Sequence, residues 1–448
     1  MTVAMATYRR VLALTGPLLP AVSFLGRLPT AMCQLGSLLL VARTSGSLAT
    51  AGLVAGALAA GQTVGGPLLG RLADRHGQRT VVLAACWFDA LAVAALVAAA
   101  LARTGTPLLV LAGLLAGAGV PQIGPLARTR LVALARRARA DDRLINTALS
   151  FEGTLDEMSF VLGPALVGLS ATVAHPAVAL FLAVLLLAVC GSAFALHPTA
   201  AVLPPSAAAP SPAPADARSA GPSDAPAAPA PPAPASAGHR GPARGARPAR
   251  ARMPRAVHGL RVSMALQGVL FGACQAGITA LTARLHQPAQ AGLVYAAMGV
   301  MSAVAGVLLA LAPARITLPA RWRAAGAALV VLSVPLLWVR SLGALYLVVV
   351  VLGVAFAPHL ITVFGLTERL VPAGRLAESM AFLTSAVVGG QALSLAASGR
   401  LAEAHGPAAA FAVAVGAAVL ICALAAGSRA GTSAVPMPAA AAPAGSGR

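Results

Sequence analysis

The chain is built from a succession of apolar stretches. Most run near the ~20 residues that a helix needs to cross the hydrocarbon of a bilayer, and almost all are broken by an arginine, proline or glycine cluster before about thirty. Twelve such stretches can be drawn in order, at 17–42, 47–69, 81–102, 107–127, 146–172, 177–196, 259–283, 289–312, 324–339, 343–366, 377–402 and 408–427. With 58% of residues hydrophobic, 10% charged and a mean hydropathy of +0.84, water cannot be the main solvent of such a chain. Aromatics are scarce and strict alternation of polar and apolar residues is absent, which argues against a membrane β-barrel. A polytopic helical bundle follows.

The formal charge of +20 would suit a nucleic-acid binder if it were spread over a soluble surface, so its placement decides its meaning. Between the twelve stretches, 26 of the 32 arginines fall in alternate connections and termini assigned to the cytoplasm. Five fall on the other side (Arg43, Arg103, Arg284, Arg340, Arg400), and Arg27 lies in or near the first span. That asymmetry is the positive-inside rule, and it puts both termini in the cytoplasm. The basic side then faces anionic lipid headgroups, at roughly 1 kcal/mol of attraction per arginine, and no nucleic acid is needed. Every basic residue is arginine, so the phosphate-binding lysine of a Walker A loop is missing and ATP hydrolysis is excluded. The five cysteines lie in five different stretches without CxxC spacing, which leaves no basis for a metal site or disulfide framework. No HExxH or GxSxG occurs, so neither a cofactor nor enzymatic chemistry is expected. Arg9 and Arg10 precede an apolar run too long for a signal peptide, which reads as the first uncleaved span. Lysine-free usage rich in Arg, Ala, Gly and Pro suggests a GC-rich bacterial genome, hence the bacterial cytoplasmic membrane.

Residues 197–256 carry 15 prolines, abundant Ala and Ser, and a terminal run of Arg240, Arg244, Arg247, Arg250, Arg252 and Arg255. No core can form from that composition, and a disordered cytoplasmic linker is expected there. It divides the chain into an N-terminal six-helix bundle at 1–196 and a C-terminal one at 257–427, followed by a disordered tail at 428–448. Short internal matches support two parallel repeats: Ala174-His175-Pro176-Ala177 before span six resembles Ala404-His405-Gly406-Pro407-Ala408 before span twelve, and Arg130-Leu131-Val132 matches Arg369-Leu370-Val371.

The connection after span two reads Gly70-Arg71-Leu72-Ala73-Asp74-Arg75-His76-Gly77-Gln78-Arg79. It resembles the G-x-L-x-D-R-x-G-x-R loop of the major facilitator superfamily, in the expected connection and on the expected side. The resemblance implies an all-α integral membrane protein with twelve transmembrane helices in two pseudo-symmetric six-helix bundles. Gly70, Asp74, Arg75, Gly77 and Arg79 would then form the latch that closes the two halves on the cytoplasmic side. The equivalent connection in the second half, 313–323, lacks the pattern. In span five, Gly163, Pro164 and Gly168 are similar to the end of the family's antiporter motif, although Val167 and Ser159 stand where that motif has glycine. Small residues and a proline there also serve close packing and bending on their own.

Acidic side chains inside the spans are the candidates for chemistry. Asp156, Glu157 and Glu152 in span five and Asp89 in span three each cost ~2.5–3.5 kcal/mol to insert unless a cavity, a partner or a proton relieves them. Burial and a neighbouring carboxylate both favour the protonated form, so such a group can exchange a proton for substrate. Asp156 is the first choice; Glu152 shares its helix face, while Glu157 points about 100° away. Arg27, just before Pro29, is a counter-charge for Asp156, a contact for an anionic substrate group, or a side chain snorkelling to the interface. Gln62, Gln122, Gln267, Gln275, His359 and Gln391 are the remaining large polar side chains, either lining a central cavity or tying helices together. The expectation is a monomeric exporter of a small amphipathic molecule, driven by proton antiport as in the bacterial proton-coupled exporters of drugs or metabolites that this pattern resembles. Proton-coupled uptake of a small nutrient is the competing expectation within the class, and a non-transporting membrane receptor or scaffold of the same fold is the one outside it.

Overall fold

The computed structural model describes residues 15–140, 142–202, 255–309, 316–371 and 376–428. Residues 203–254 of the expected linker, 310–312 at the end of span eight, and the expected tail from 429 onward lie outside them. Twelve long helices run in chain order: α1 (Leu18–Ser45), α2 (Leu48–His76), α3 (Gln78–Leu101), α4 (Thr106–Arg137), α5 (Asp142–Val173), α6 (Pro176–Leu196), α7 (Arg255–Arg284), α8 (Gln290–Leu309), α9 (Leu318–Trp338), α10 (Leu342–Leu370), α11 (Leu376–His405) and α12 (Pro407–Gly427). Eleven of them are long and apolar enough to cross a membrane. The other, α5, is 32 residues long and is the helix that carries Glu152, Asp156 and Glu157. No strand occurs among the described residues.

Several helices outrun the apolar stretches that announce them, because a helix satisfies its own backbone and stops at a breaker rather than at a polarity boundary. Thus α2 continues seven residues past position 69 and ends where Gly77 adopts φ +89°, a turn that a side chain would strain. Side-chain caps set several starts: Ser47 Oγ accepts from the Thr50 N–H at α2, and His175 Nδ1 accepts from the Ala177 N–H at α6. That role keeps the His175 ring neutral, and burial together with Arg43 lowers its pKa. Helix α4 is interrupted at 120–122, where Pro121 and Pro125 remove backbone donors, and resumes at Ile123.

Two halves of six helices result, and their contacts repeat. Within the N-terminal half, α1 packs on α2, α5 and α6; across the halves, α2 meets α11 and α5 meets α8. Adding six to each number of the first crossing pair, and continuing around the circle, gives the second, which is the signature of a pseudo-two-fold axis. The first helix of each half is the most enclosed, with 83% of the apolar segment of α1 and 78% of that of α7 buried. Large apolar side chains such as Leu91, Phe181, Val331, Leu347 and Leu420 are exposed around the outside, where lipid would cover them.

One end of the bundle carries Arg71, Arg75, Arg79, Arg136 and Arg137, and the tightest approaches between halves lie toward the opposite end. There Gly168 of α5 faces Gly292 of α8, and a Cβ on Gly168 would stand 2.5 Å from the Leu293 nitrogen. Only glycine lets these backbones touch. At the rim, Glu403 of α11 accepts from Ser47 Oγ (2.8 Å) and from the Ala49 N–H (2.6 Å), capping the start of α2 across the two halves.

Candidate functional site

A cavity of about 440 Å³ lies between the halves, from the middle of the bundle toward the arginine-rich end. On α5 its wall is a single helical stripe: Gly153, Asp156, Glu157, Phe160, Val161 and Pro164 recur at the three- and four-residue spacing of one face. Pro164 bends the helix beside Gly163, which packs against Ala31 of α1 so closely that an added Cβ would come within 2.6 Å of it.

Behind this stripe sits a buried ion-pair network. Arg27 of α1 is 5% exposed, and its Nη1 donates to Asp156 Oδ1 at 2.6 Å while its Nη2 donates to Glu152 Oε2 at 2.6 Å. Its Nε donates to the Ser23 carbonyl at 3.1 Å, Nη1 also to the Glu152 carbonyl at 3.3 Å, and Nη2 also to Ser23 Oγ. All five guanidinium N–H groups are therefore matched. From α4, Arg128 Nη2 donates to the second oxygen of Asp156. Gly124 leaves the space in which this carboxylate meets α4, since a Cβ there would lie 2.9 Å from Asp156 Oδ1. Asp156 thus bridges two arginines, Glu152 is shielded behind Arg27, and Glu157 faces the cavity with no ion pair to any described residue.

The wall of the C-terminal half is different. It presents Met264, Phe271, Tyr295, Met298, Phe356 and Phe364, with the rings of Phe271 and Phe356 stacked at 4.7 Å and 11°. Its polar groups are Ser302, Thr384, Gln275 of α7 and Gln391 of α11, with Gln391 Nε2 donating to Gln275 Oε1 at 3.3 Å. Gln62 also lines the cavity, on the side of the first half.

The remaining candidates from the sequence lie elsewhere. His359 is fully buried within the second half, its Nε2 2.9 Å from Ser263 Oγ and 3.3 Å from the Trp322 Nε1 that donates to it. Gln267 is buried with neither amide atom bonded among the described residues, and Gln122 Nε2 donates to the Val120 carbonyl at the break in α4. Asp89 is 3% exposed inside the first half, with Oδ1 unpartnered among the described residues. At the turn from α2 to α3, Asp74 and Arg75 in the last turn of α2 and Arg79 in the first turn of α3 are exposed, Asp74 makes no ion pair among the described residues, and a Cβ on Gly70 of α2 would meet nothing within 4 Å. Arg128, Gly124 and the aromatic wall were not singled out from sequence. Arg128 lies just past the apolar end of span four and counts there as one more cytoplasmic arginine, yet α4 continues and carries it into the site. Two residues on, Arg130 turns inward, donating to Gln78 Oε1 at 2.8 Å and the Phe194 carbonyl at 2.7 Å with its guanidinium 4.0 Å over the Phe194 ring.

A profile of the Major Facilitator Superfamily matches residues 21–249, just over half of the chain. The chain belongs to that superfamily. Solved superfamily-type structures agree in fold: the nucleoside transporter NupG matches at TM-score 0.62 and 16% identity, over 91% of this chain and 96% of that one. The human organic anion transporter MFSD10 matches at 0.57 and 18%, over 91% and 99%. The POT family transporter PepTSo matches at 0.61 and 13%, over 92% and 97%. No curated protein matches the chain in sequence. The chain is therefore a multi-pass membrane protein of a transporter superfamily, and its cavity lies between the two halves that the fold sets against each other.

Proposed function

We propose that this superfamily member is a secondary active transporter that exports a small amphipathic compound by alternating access, in exchange for protons. The observation that carries the proposal is the carboxylate of Glu157, without an ion pair among the described residues, in a cavity between the two halves beside the Asp156 network. An acid in such surroundings is tolerable when it holds a proton or a cationic partner, and a switch between the two is what antiport requires. The arginine-rich end is taken as cytoplasmic by the positive-inside rule, which makes this an inward-open state in a bacterial cytoplasmic membrane. Free Asp74, the closed Gly168–Gly292 crossing and the Glu403 cap support the same assignment.

In the cycle, the proton and the substrate must favour opposite-facing states, since a ligand shifts an equilibrium only through differential affinity. Asp156 ties α1, α4 and α5 together through Arg27 and Arg128, so a change of charge at its neighbour reaches three helices of one half at once. Proteoliposomes with an imposed pH gradient test this. The parent should accumulate substrate on the acidic side. Asp156→Asn or Glu157→Gln should abolish gradient-driven accumulation while leaving downhill exchange measurable. Undiminished accumulation by both variants removes the carboxylates from the mechanism, and accumulation in the reverse direction makes the protein an importer.

A further inference from the structure

Charge accounting in the cavity goes one step further than the transport class. Two guanidiniums, Arg27 and Arg128, and three carboxylates, Glu152, Asp156 and Glu157, belong to the α1, α4 and α5 wall. Four of these five are matched in pairs, which leaves one negative charge, on Glu157. The opposite wall contributes no charged side chain among the described residues, and its two glutamines are joined by one hydrogen bond. An anion would have to compete with Asp156 for the charge of Arg128, and all five donors of Arg27 are matched.

From the uncompensated Glu157 facing an aromatic wall, we infer that the cavity takes an organic cation with an aromatic or branched apolar body. The ligand's charge answers Glu157, and its body lies against the stacked Phe271–Phe356 pair with Tyr295, Phe364 and the thioethers of Met264 and Met298. Aromatic faces attract a desolvated cation electrostatically, and methionine adapts to irregular apolar shapes, so this wall tolerates variation in the body while Glu157 selects the charge. At about 440 Å³ the cavity is of drug-sized dimensions, which run from ~300 to 1,000 Å³. Proton and ligand then compete for one carboxylate.

The inference rests on the transport proposal only in taking this cavity as the ligand site, and binding to purified protein in detergent separates the two, because it needs neither gradient nor turnover. Tetraphenylphosphonium and tetraphenylborate share a shape and differ in charge, which makes them the probes of choice. Calorimetry on the parent should show the cation binding at least tenfold more tightly than the anion, with affinity for the cation rising as pH rises. Glu157→Gln should weaken the cation at least tenfold and flatten its pH dependence. Phe271→Leu should weaken both probes without changing the pH dependence, since it alters the body's contacts and not the charge. Equal or stronger binding of the anion, binding of neither probe, or unchanged affinity in Glu157→Gln overturns the inference. Cation binding without gradient-driven transport would leave this site standing and overturn the exporter.

Discussion

The two halves of the molecule share a packing plan and divide the chemistry between them. At the heart of the first half lies an ionic cluster, in which Arg27, Glu152, Asp156 and Arg128 link three helices. In the second half a neutral cluster of Ser263, His359 and Trp322 ties α7, α10 and α9. A neutral cluster can be fixed glue, because nothing in it responds strongly to a charge entering the cavity. The ionic cluster is different: its outermost member, Asp156, lies one residue from a free acid. In the proposed cycle the first half is the one that responds to ligand and proton, and the second supplies an apolar wall for the ligand to lie on.

Removing one partner from each cluster breaks the comparison most forcefully. Arg27→Leu strands Glu152 and part of Asp156 without their counter-charge and should destabilise the protein by ~3–5 kcal/mol. His359→Leu takes their shared acceptor from the Trp322 N–H and the Ser263 hydroxyl, leaving the Trp322 N–H only its 3.4 Å bond to Ser263 Oγ, and should cost ~1–3 kcal/mol. Thermal unfolding in detergent ranks the two; equal losses would mean that the ionic cluster carries no special weight.

The crossings between halves sharpen the same contrast with smaller effects. Gly168→Val forces α5 away from Gly292 and should raise the population open at that end roughly tenfold, equivalent to ~1.4 kcal/mol, read as interspin distances across α5 and α8. Glu403→Gln keeps the hydrogen bonds to α2 but removes the charge at its N-terminus. A shift of about two- to fivefold in the same distances is expected, the scale of ~0.5–1 kcal/mol for a capping charge. No shift in either variant would mean that these contacts do not hold the closed end.

Most of the fold is legible in the sequence because the bilayer imposes its length on every span. Each of the twelve apolar stretches became a helix; the ends moved, as where α2 runs on to Gly77, and α4 breaks at 120–122 inside its stretch. The site was legible in part. The span-five acids and Arg27 announce themselves by being charged where charge is costly, but which acid is paired depends on what another helix brings. Arg128 arrives from a helix that outlasts its apolar stretch, and it takes up one side of Asp156. The aromatic wall carries no local mark at all. Phe271 and Phe356 are 85 residues apart in sequence and meet only when α7 and α10 pack, and a lone phenylalanine in an apolar run looks the same whether it faces lipid, core or ligand.

Proton release on ligand binding probes the unpaired carboxylate of Glu157 in the cavity most closely. When tetraphenylphosphonium is added to weakly buffered purified protein across the physiological pH range, the parent and Gln391→Ala should each release protons in proportion to ligand bound, and Glu157→Gln should release none. Proton release from Glu157→Gln equal to that of the parent would place the exchanging group elsewhere and contradict the division of labour between the two halves.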